Sequence, residues 1–197
     1  MENDFDVPSW DEIYSLLLEL AHKIKIQCLE IDYIVAIARG GWLPARVLSD
    51  LLGNSNLATV SAESQTDILG GRGKPFLIQS ISADVKGKCL LLVDDIADTG
   101  KSLKLVLDHL NYKGANLIHT ATLYYKPWSI LRPEYFEKET TKWIVFPWEV
   151  RETLKMLLVK YYGETLFFKK EIEKLVNGGM SRSLIDKMII EFDDSKC

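Results

Sequence analysis

The stretch CLLLVDDIADTGKS, residues 89–102, decides the fold. Its first five residues are apolar apart from the opening cysteine, so we predict a buried strand over residues 89–93. Three carboxylates follow within five residues, and a predicted helix over residues 101–111 comes directly after Gly100. We expect residues 94–100 to form the loop between strand and helix. In parallel α/β sheets, ligands bind at loops of this kind, outside the carboxyl ends of the strands.

This loop offers two kinds of binding chemistry. One phosphate group could bind at the start of the helix. It would be held by the backbone amides from Thr99 through Ser102, the hydroxyls of Thr99 and Ser102, and the helix dipole. Asp94 and Asp95 suit hydroxyls or a metal ion, because adjacent carboxylates repel each other unless cations or donors lie nearby. A ligand with one phosphate and a vicinal diol would satisfy both halves of the loop.

Rival motifs can be tested residue by residue. A Walker phosphate loop needs a glycine at position 95, where this chain has Asp95. The aspartyl-phosphatase pattern fails because Asp95 and Asp98 are three residues apart, and GxGxxG fails because Phe76 stands where its third glycine is needed. A helix N-cap with solvated neighbours is the plain structural alternative, but three acids directly after an apolar strand are a costly way to build one.

Strands alternate with helices on both sides of this stretch. We predict helices over residues 10–30, 42–52 and 101–111, and strands over residues 33–38, 57–62, 75–81, 89–93, 116–125 and 142–146. Residues 63–74 are polar and glycine-rich, which is typical of a mobile loop. From residue 149 onward the chain reads as helical, with a break at residues 177–179. The alternation predicts an α/β fold, with a central, mostly parallel sheet flanked by helices.

Composition narrows the functional classes. The 197 residues are 47% hydrophobic, enough for one domain with a full core and a small appendage. The net charge of -4 argues against a general nucleic-acid binder. The three cysteines are widely spaced and form no CxxC pair, so they indicate neither a zinc site nor a disulfide framework. No apolar run reaches the roughly 18 residues of a membrane span. The acidic start lacks the basic flank of a signal peptide, and we expect a cytoplasmic protein.

The 89–102 stretch resembles the phosphoribosyl pyrophosphate (PRPP) binding motif of type I phosphoribosyltransferases, in which two acids after an apolar strand precede an Asp-Thr-Gly loop. The resemblance implies that Asp94 and Asp95 hold the ribose 2- and 3-hydroxyls, and that Asp95 also orients a magnesium ion. It implies that the 5-phosphate lies in a cradle that begins at Asp98. The other members of this cradle are Thr99, Gly100, Lys101 and Ser102.

Residues 37–45, IARGGWLPA, are similar to the pyrophosphate-binding loop in the 6-oxopurine branch of the same family. Glycine permits close backbone approach, and Arg39 adds positive charge. The resemblance implies that Arg39, Gly40 and Gly41 bind pyrophosphate. It also implies a cis peptide between Ala38 and Arg39.

Residues 125–127, YKP, and 143–149, WIVFPWE, resemble the base-binding hood of bacterial and archaeal xanthine-guanine phosphoribosyltransferases. The resemblance implies that Lys126 donates to the purine O6, that Trp143 stacks on the ring and that the Ile144 carbonyl accepts from an exocyclic group. Core packing is the alternative for Trp143, and an ordinary surface position is the alternative for Lys126. Some close relatives carry an acid where this chain has Val145, which leaves the choice among guanine, xanthine and hypoxanthine open.

Together the resemblances imply a magnesium-dependent enzyme of purine salvage. It would transfer the 5-phosphoribosyl group from PRPP to N9 of a 6-oxopurine and release pyrophosphate. Asp98 would manage the proton at N7 while N9 attacks, and the 63–74 loop, with Arg72 and Lys74, would close over the site. Two alternatives remain: the same fold acting on adenine or a pyrimidine, and a non-catalytic regulator that senses PRPP.

The resemblance covers about residues 33–149. We predict a phosphoribosyltransferase domain over residues 1–150, with the hood at about residues 125–149, and a helical C-terminal extension over residues 151–197. We expect the extension to serve as a helical pack or a dimer contact. The expected partners are PRPP and a purine base, with no nucleic acid and no membrane, in a homodimer or homotetramer.

Overall fold

A computed structural model of the protein describes residues 4–66 and 72–194. The strands are β1 (Phe5–Asp6), β2 (Tyr33–Ala38), β3 (Leu57–Thr66), β4 (Arg72–Gln79), β5 (Cys89–Ala97), β6 (Leu117–Tyr125), β7 (Tyr135–Glu139) and β8 (Trp143–Ile144). The helices are α1 (Trp10–Ile26), α2 (Trp42–Leu52), α3 (Lys101–Tyr112), α4 (Val150–Lys160), α5 (Thr165–Asn177) and α6 (Arg182–Asp194). The chain forms two compact units, one from Tyr14–Thr141 and one from Met1–Ile13 with Lys142–Cys197.

The larger unit contains a six-stranded sheet in the order β4-β3-β2-β5-β6-β7. All neighbours in it run parallel except β3 and β4. The predicted mostly parallel α/β sheet is therefore confirmed. From β2 the chain crosses to β3 on one side, and from β5 it crosses to β6 on the other, so the order reverses between β2 and β5. In open α/β sheets this switch point is where ligands bind.

The sheet is buried because its central strands β2 and β5 are apolar over most of their length. Val35 of β2 lies beside Leu92 of β5, and both side chains are fully buried. The apolar stripe of α3 packs into the same core through Leu103, Val106 and Leu110. Near-continuous apolar strands are what a parallel sheet covered on both faces requires.

Asp32 fastens the starts of β2 and β5 together. Its carboxylate accepts a hydrogen bond from the backbone N–H of Cys89 at 2.8 Å and one from Lys88 Nζ at 3.1 Å. Its own backbone N–H donates to the Cys89 carbonyl at 2.8 Å. The backbone hydrogen bond from Cys89, followed by the one from Lys88, lowers the pKa of Asp32 below its usual value.

The smaller unit has a core of its own. Its two short strands, β1 and β8, run parallel, with Phe5 beside Trp143 and Asp6 beside Ile144. Its three helices pack against them around one cluster of buried residues: Phe5, Val145, Val150, Leu154, Leu157, Ile172, Leu175, Met180 and Ile185. Lys174 Nζ lies 3.0 Å from Asp4 Oδ2, an ion pair that links α5 to the segment before β1. None of the helices in the described ranges combines the length and hydropathy that a membrane span requires.

The first helix begins as predicted and ends early. Ser9 caps it through a capping box, in which Glu12 N donates to Ser9 Oγ at 3.2 Å and Ser9 N donates to Glu12 Oε2 at 2.7 Å. The expected end at residue 30 is wrong, because α1 stops at Ile26. Cys28 then adopts a left-handed backbone conformation with φ of 52°, which no helix residue can have.

Two predicted loops prove too long. Strand β5 continues to Ala97, because its pairing with β6 extends past Asp94 beside Thr122 as far as Ala97 beside Tyr125. The predicted loop at residues 63–74 is largely wrong as well, since β3 runs to Thr66 and β4 begins at residue 72 as its antiparallel neighbour. Residues 67–71 of that loop lie outside the described residues.

Three short features have no counterpart in the sequence prediction. Strand β1 has two residues, and β7 has the polar sequence YFEKE, because only one of its sides pairs in the sheet. The helical tail has an additional break at residues 161–164, where Gly163 has a φ of 80°. The predicted break at residues 177–179 is confirmed.

Candidate active site

Three loops leave the carboxyl ends of β2, β5 and β6, and each carries residues predicted from the sequence. The loop after β2 meets the side chain of Asp95 on β5. A Cβ atom added to Gly40 would lie 2.3 Å from Asp95 Oδ2 and 2.6 Å from its Cγ. Only glycine fits against the carboxylate at this distance. The β2 loop and the acidic end of β5 therefore lie directly against each other.

Gly41 is held equally closely by the sheet. A Cβ atom there would lie 2.4 Å from the Val93 carbonyl oxygen and 2.8 Å from that of Ile37. Gly41 N donates to Ile37 O at 2.9 Å, which turns the chain back sharply into α2. The peptide between Ala38 and Arg39 is cis, as the family resemblance implies, and Arg39 is exposed.

Asp94 and Asp95 lie within β5 and not in a loop, which corrects the sequence prediction. Successive side chains of a strand alternate in direction, so the two carboxylates leave the strand end in different directions. Asp95 is 5% exposed and faces Gly40, while Asp94 is half-buried and accepts a hydrogen bond from the Asp95 N–H at 3.0 Å. Mutual repulsion between adjacent carboxylates is thereby reduced.

The turn after β5 presents the start of α3. Gly100 has a φ of 72°, in the left-handed region, and immediately precedes the helix. Gly100 at the N-cap has no side chain that could cap α3, and the contact from Lys101 N to Thr99 Oγ1 is a long one at 3.4 Å. Backbone N–H groups at the start of a helix, together with the helix dipole, suit a phosphate.

The segment after β6, residues 126–131, is fastened onto this turn. Lys126 N donates to Ala97 O at 3.1 Å, and Ile130 N donates to Thr99 O at 3.1 Å. A Cβ atom on Gly100 would lie 2.3 Å from Ser129 Oγ and 2.8 Å from Leu131 N, so this segment packs directly on the Gly100 backbone. We call residues 126–131 the β6 connector.

The β6 connector places two further side chains beside the acidic turn. Lys126 is 4% exposed, so an ordinary surface position is wrong for it, and its Nζ lies 5.3 Å from the ring centroid of Trp128. Trp128 Nε1 donates to Asp98 Oδ1 at 3.1 Å. Trp128 is not among the site residues predicted from the sequence. Its position directly after the Lys-Pro pair of the predicted base-binding segment could have indicated it.

Trp143 and Ile144 form β8 in the smaller unit. Trp143 N donates to Asp4 O at 2.8 Å, and its side chain is 45% exposed. Trp143 is therefore not a core residue, which was the alternative to base stacking. Ile144 is buried.

The donor set at the end of β5 fits a magnesium ion. Magnesium is a hard cation, commonly held in nucleotide sites by one or two carboxylates together with substrate phosphates. Asp95 supplies carboxylate oxygens, and the glycine backbone of the β2 loop leaves space beside Asp95 that a larger residue would fill.

The fold and this site define an α/β protein built to bind a phosphorylated ligand at the switch point of its sheet. A comparison with known families identifies the family. The phosphoribosyl transferase domain family matches residues 9–153. The chain belongs to this family, as the resemblance in residues 89–102 predicts.

Individual relatives agree with this assignment. Xanthine-guanine phosphoribosyltransferase from Desulfotalea psychrophila is 30% identical over 159 residues, covering 77% of this chain and 90% of the relative. The enzyme of the same description from Idiomarina loihiensis is 29% identical over 144 residues, covering 72% and 85%.

Solved structures give the same result. A purine phosphoribosyltransferase from Pyrococcus horikoshii has a TM-score of 0.67 and 35% identity, covering 74% of this chain and 94% of that one. The xanthine-guanine-hypoxanthine phosphoribosyltransferase of Helicobacter pylori has a TM-score of 0.64 and 27% identity, covering 77% and 99%. The predicted family and the predicted fold are both confirmed.

Proposed function

We propose that this chain transfers the 5-phosphoribosyl group from PRPP to N9 of guanine, xanthine or hypoxanthine and releases pyrophosphate, as a step of purine salvage. The observation that carries the proposal is the close packing of the Asp95 carboxylate on the Gly40 backbone. It joins a loop suited to pyrophosphate with a strand end suited to ribose. The relatives named as xanthine-guanine and purine phosphoribosyltransferases support the choice of base.

We assign PRPP to the three loops as follows. Asp94 and Asp95 hold the ribose 2- and 3-hydroxyls. Arg39, Gly40 and Gly41 bind the pyrophosphate. The 5-phosphate lies at the start of α3, against Thr99, Gly100, Lys101 and Ser102, where the backbone N–H groups and the helix dipole favour an anion.

We propose that Asp95 holds magnesium. Magnesium would neutralise negative charge that builds up on the departing pyrophosphate. Arg39 acts in the same direction through its guanidinium, which is charged at all relevant pH values. Preorganised positive groups at the place where charge develops are commonly a large contribution to catalysis.

The base is read by Lys126. An ammonium group donates hydrogen bonds and accepts none, so it pairs with the O6 carbonyl of a 6-oxopurine and opposes the amino group of adenine. From the family resemblance we also assign stacking on the base to Trp143 and an accepting carbonyl to Ile144. The choice among the three 6-oxopurines stays open, because this chain has Val145 where some close relatives carry an acid.

The chemical step exchanges one bond to the anomeric carbon for another. The bond from N9 to C1 forms while the bond from C1 to the pyrophosphate oxygen breaks, and pyrophosphate leaves with the electron pair. The proton that the base loses passes from N7 to the carboxylate of Asp98.

We also propose that the protein is a cytoplasmic homodimer or homotetramer.

The test is turnover on a panel of bases. The protein, PRPP and magnesium are incubated with guanine, xanthine, hypoxanthine, adenine or uracil, and pyrophosphate release is followed. We expect release with at least one 6-oxopurine and little with adenine or uracil. Asp98→Ala should retain PRPP binding and lose about 10² or more in turnover, the usual size of a general acid–base contribution. Release with adenine or uracil alone would contradict the assigned base, and no release with any of the five would contradict the activity.

A further inference from the structure

Trp128 contacts two of the side chains that the proposed function assigns to the base, Asp98 and Lys126. Its indole N–H donates to Asp98 Oδ1 at 3.1 Å, and its ring lies 5.3 Å from Lys126 Nζ. The residue is nevertheless 54% exposed, so core packing does not account for its place. Trp128 is exposed, donates to a carboxylate and lies beside a buried ammonium. We therefore attribute its place to these two polar contacts.

The backbone around Trp128 fixes where the indole can lie. On the N-terminal side of Trp128, Lys126 N donates a hydrogen bond to Ala97 O. On its C-terminal side, Ile130 N donates one to Thr99 O. Ser129 N closes the turn by donating to Lys126 O at 2.9 Å. The indole is therefore held against the same turn that carries Asp98, and a rotation of the Asp98 carboxylate would break the hydrogen bond.

We propose that Trp128 is a positioning residue for the phosphoribosyl transfer. Its indole N–H sets the orientation of the Asp98 carboxylate toward the base, and its ring supports Lys126. This inference rests on the proposed function and goes beyond it, because none of the assigned roles includes Trp128. A misplaced catalytic group lowers the rate of the chemical step more than it lowers binding.

Two substitutions separate the two contacts. Trp128→Phe keeps an aromatic face beside Lys126 and removes only the indole N–H. We expect it to lower kcat by about tenfold or more, since a small displacement of a catalytic group costs up to about 10² in rate, with KM for PRPP unchanged. Trp128→Leu removes the ring as well, and we expect it to raise KM for the base in addition. The matched control is Trp10→Phe, at a tryptophan that is 58% exposed, which should leave both constants as in the parent.

A double-mutant cycle shows whether Trp128 acts through Asp98. When Asp98 is already alanine, Trp128→Phe should have no further effect on kcat, because the group that it positions is absent. Losses that multiply independently would overturn the proposal, and so would a Trp128→Phe variant with parental kcat in an active protein.

A second measurement needs no turnover. The indole N–H resonance of Trp128 is assigned by its disappearance in Trp128→Phe, using ¹⁵N-labelled protein. We expect that resonance to shift in Asp98→Ala while the Trp10 resonance stays in place. An unmoved Trp128 resonance would overturn the inference even if the enzyme is active. A parent without turnover on any base would overturn the proposed function and the positioning role with it, whatever the spectrum shows.

Discussion

At the scale of single residues, burial decides what the lysine of the site can do. Lys126 is 4% exposed and lies beside an aromatic ring, so its charge is largely removed from water. A buried ammonium that loses its partner is costly. Adenine offers an amino group where a 6-oxopurine offers O6, and discrimination of this kind can reach about 10⁴.

Lys126→Met should therefore reduce the preference for 6-oxopurines over adenine. Methionine fills a similar volume without charge, so we expect the fold to survive and the loss to fall on guanine, xanthine and hypoxanthine. The measurement is the ratio of kcat/KM for each of them to that for adenine. Lys138→Met is the control, because Lys138 Nζ also lies over a ring, that of Tyr124 at 5.9 Å, but is exposed. A ratio unchanged in Lys126→Met would remove Lys126 from the base site.

Residue types were easier to predict than residue contacts. The acid pair and the Arg-Gly-Gly turn follow from local patterns in the chain, and the cis peptide is what the family resemblance implies. The contact between Gly40 and Asp95 joins residues far apart in sequence, and it depends on β2 lying next to β5. The hydrogen bond from Trp128 to Asp98 spans 30 residues, and no local pattern encodes it.

At the scale of secondary-structure elements, the bounds of β2 and α2 were predicted correctly and the end of β5 was not. The apolar run of β2 and the Gly53 that ends α2 are local signals. The length of β5 is not local, since its last four residues are strand because β6 pairs with them. That pairing makes Asp94 and Asp95 part of the strand, where the sequence predicted a loop.

The joint between β2 and β5 depends on Asp32, and it should be sensitive to pH. The pKa of Asp32 is lowered in the folded protein, first by the Cys89 N–H and then by Lys88. The ionised form is therefore stabilised by folding, and this contribution is present above the unfolded value of about 3.9. It is lost as the pH falls through the lower folded value.

Asp32→Asn should lower the thermal midpoint at neutral pH and lower it less at strongly acidic pH. Thermal unfolding across that range, followed by circular dichroism, measures the difference between variant and parent. Asp50→Asn, at an exposed position on α2, is the control and should follow the parent at every pH. A constant difference between Asp32→Asn and the parent at all pH values would show that ionisation of Asp32 does not stabilise this joint.

At the scale of the whole molecule, the smaller unit has a buried core of its own. The core of the smaller unit includes Val145 and Leu154, which lie on either side of residue 150 in sequence. The division at residue 150 stays a prediction. Sequence patterns mark the change from strands to helices there, but only packing shows which residues share a core.

Leu175→Ala tests the core of the smaller unit. Leu175 is fully buried in it, so we expect the free energy of unfolding to fall by about 2–5 kcal/mol, as for other buried leucines. Leu166→Ala is the control, because Leu166 is 79% exposed and exposed substitutions change stability by about 0.5 kcal/mol or less. Urea unfolding measures both, and equal stability of the two variants would contradict the assigned packing of α5.

The central claim is that the acidic end of β5 binds the ribose of PRPP. Its most direct test is a calorimetric titration of PRPP, with magnesium present, into the parent and into the double variant Asp94→Asn with Asp95→Asn. Both substitutions keep side-chain size, and circular dichroism verifies that the variant is folded. Asp50→Asn with Asp108→Asn makes the same change in net charge at exposed positions and serves as the control. We predict binding to the parent and the control and no detectable binding to the Asp94/Asp95 variant; equal affinity in a folded Asp94/Asp95 variant would contradict the account.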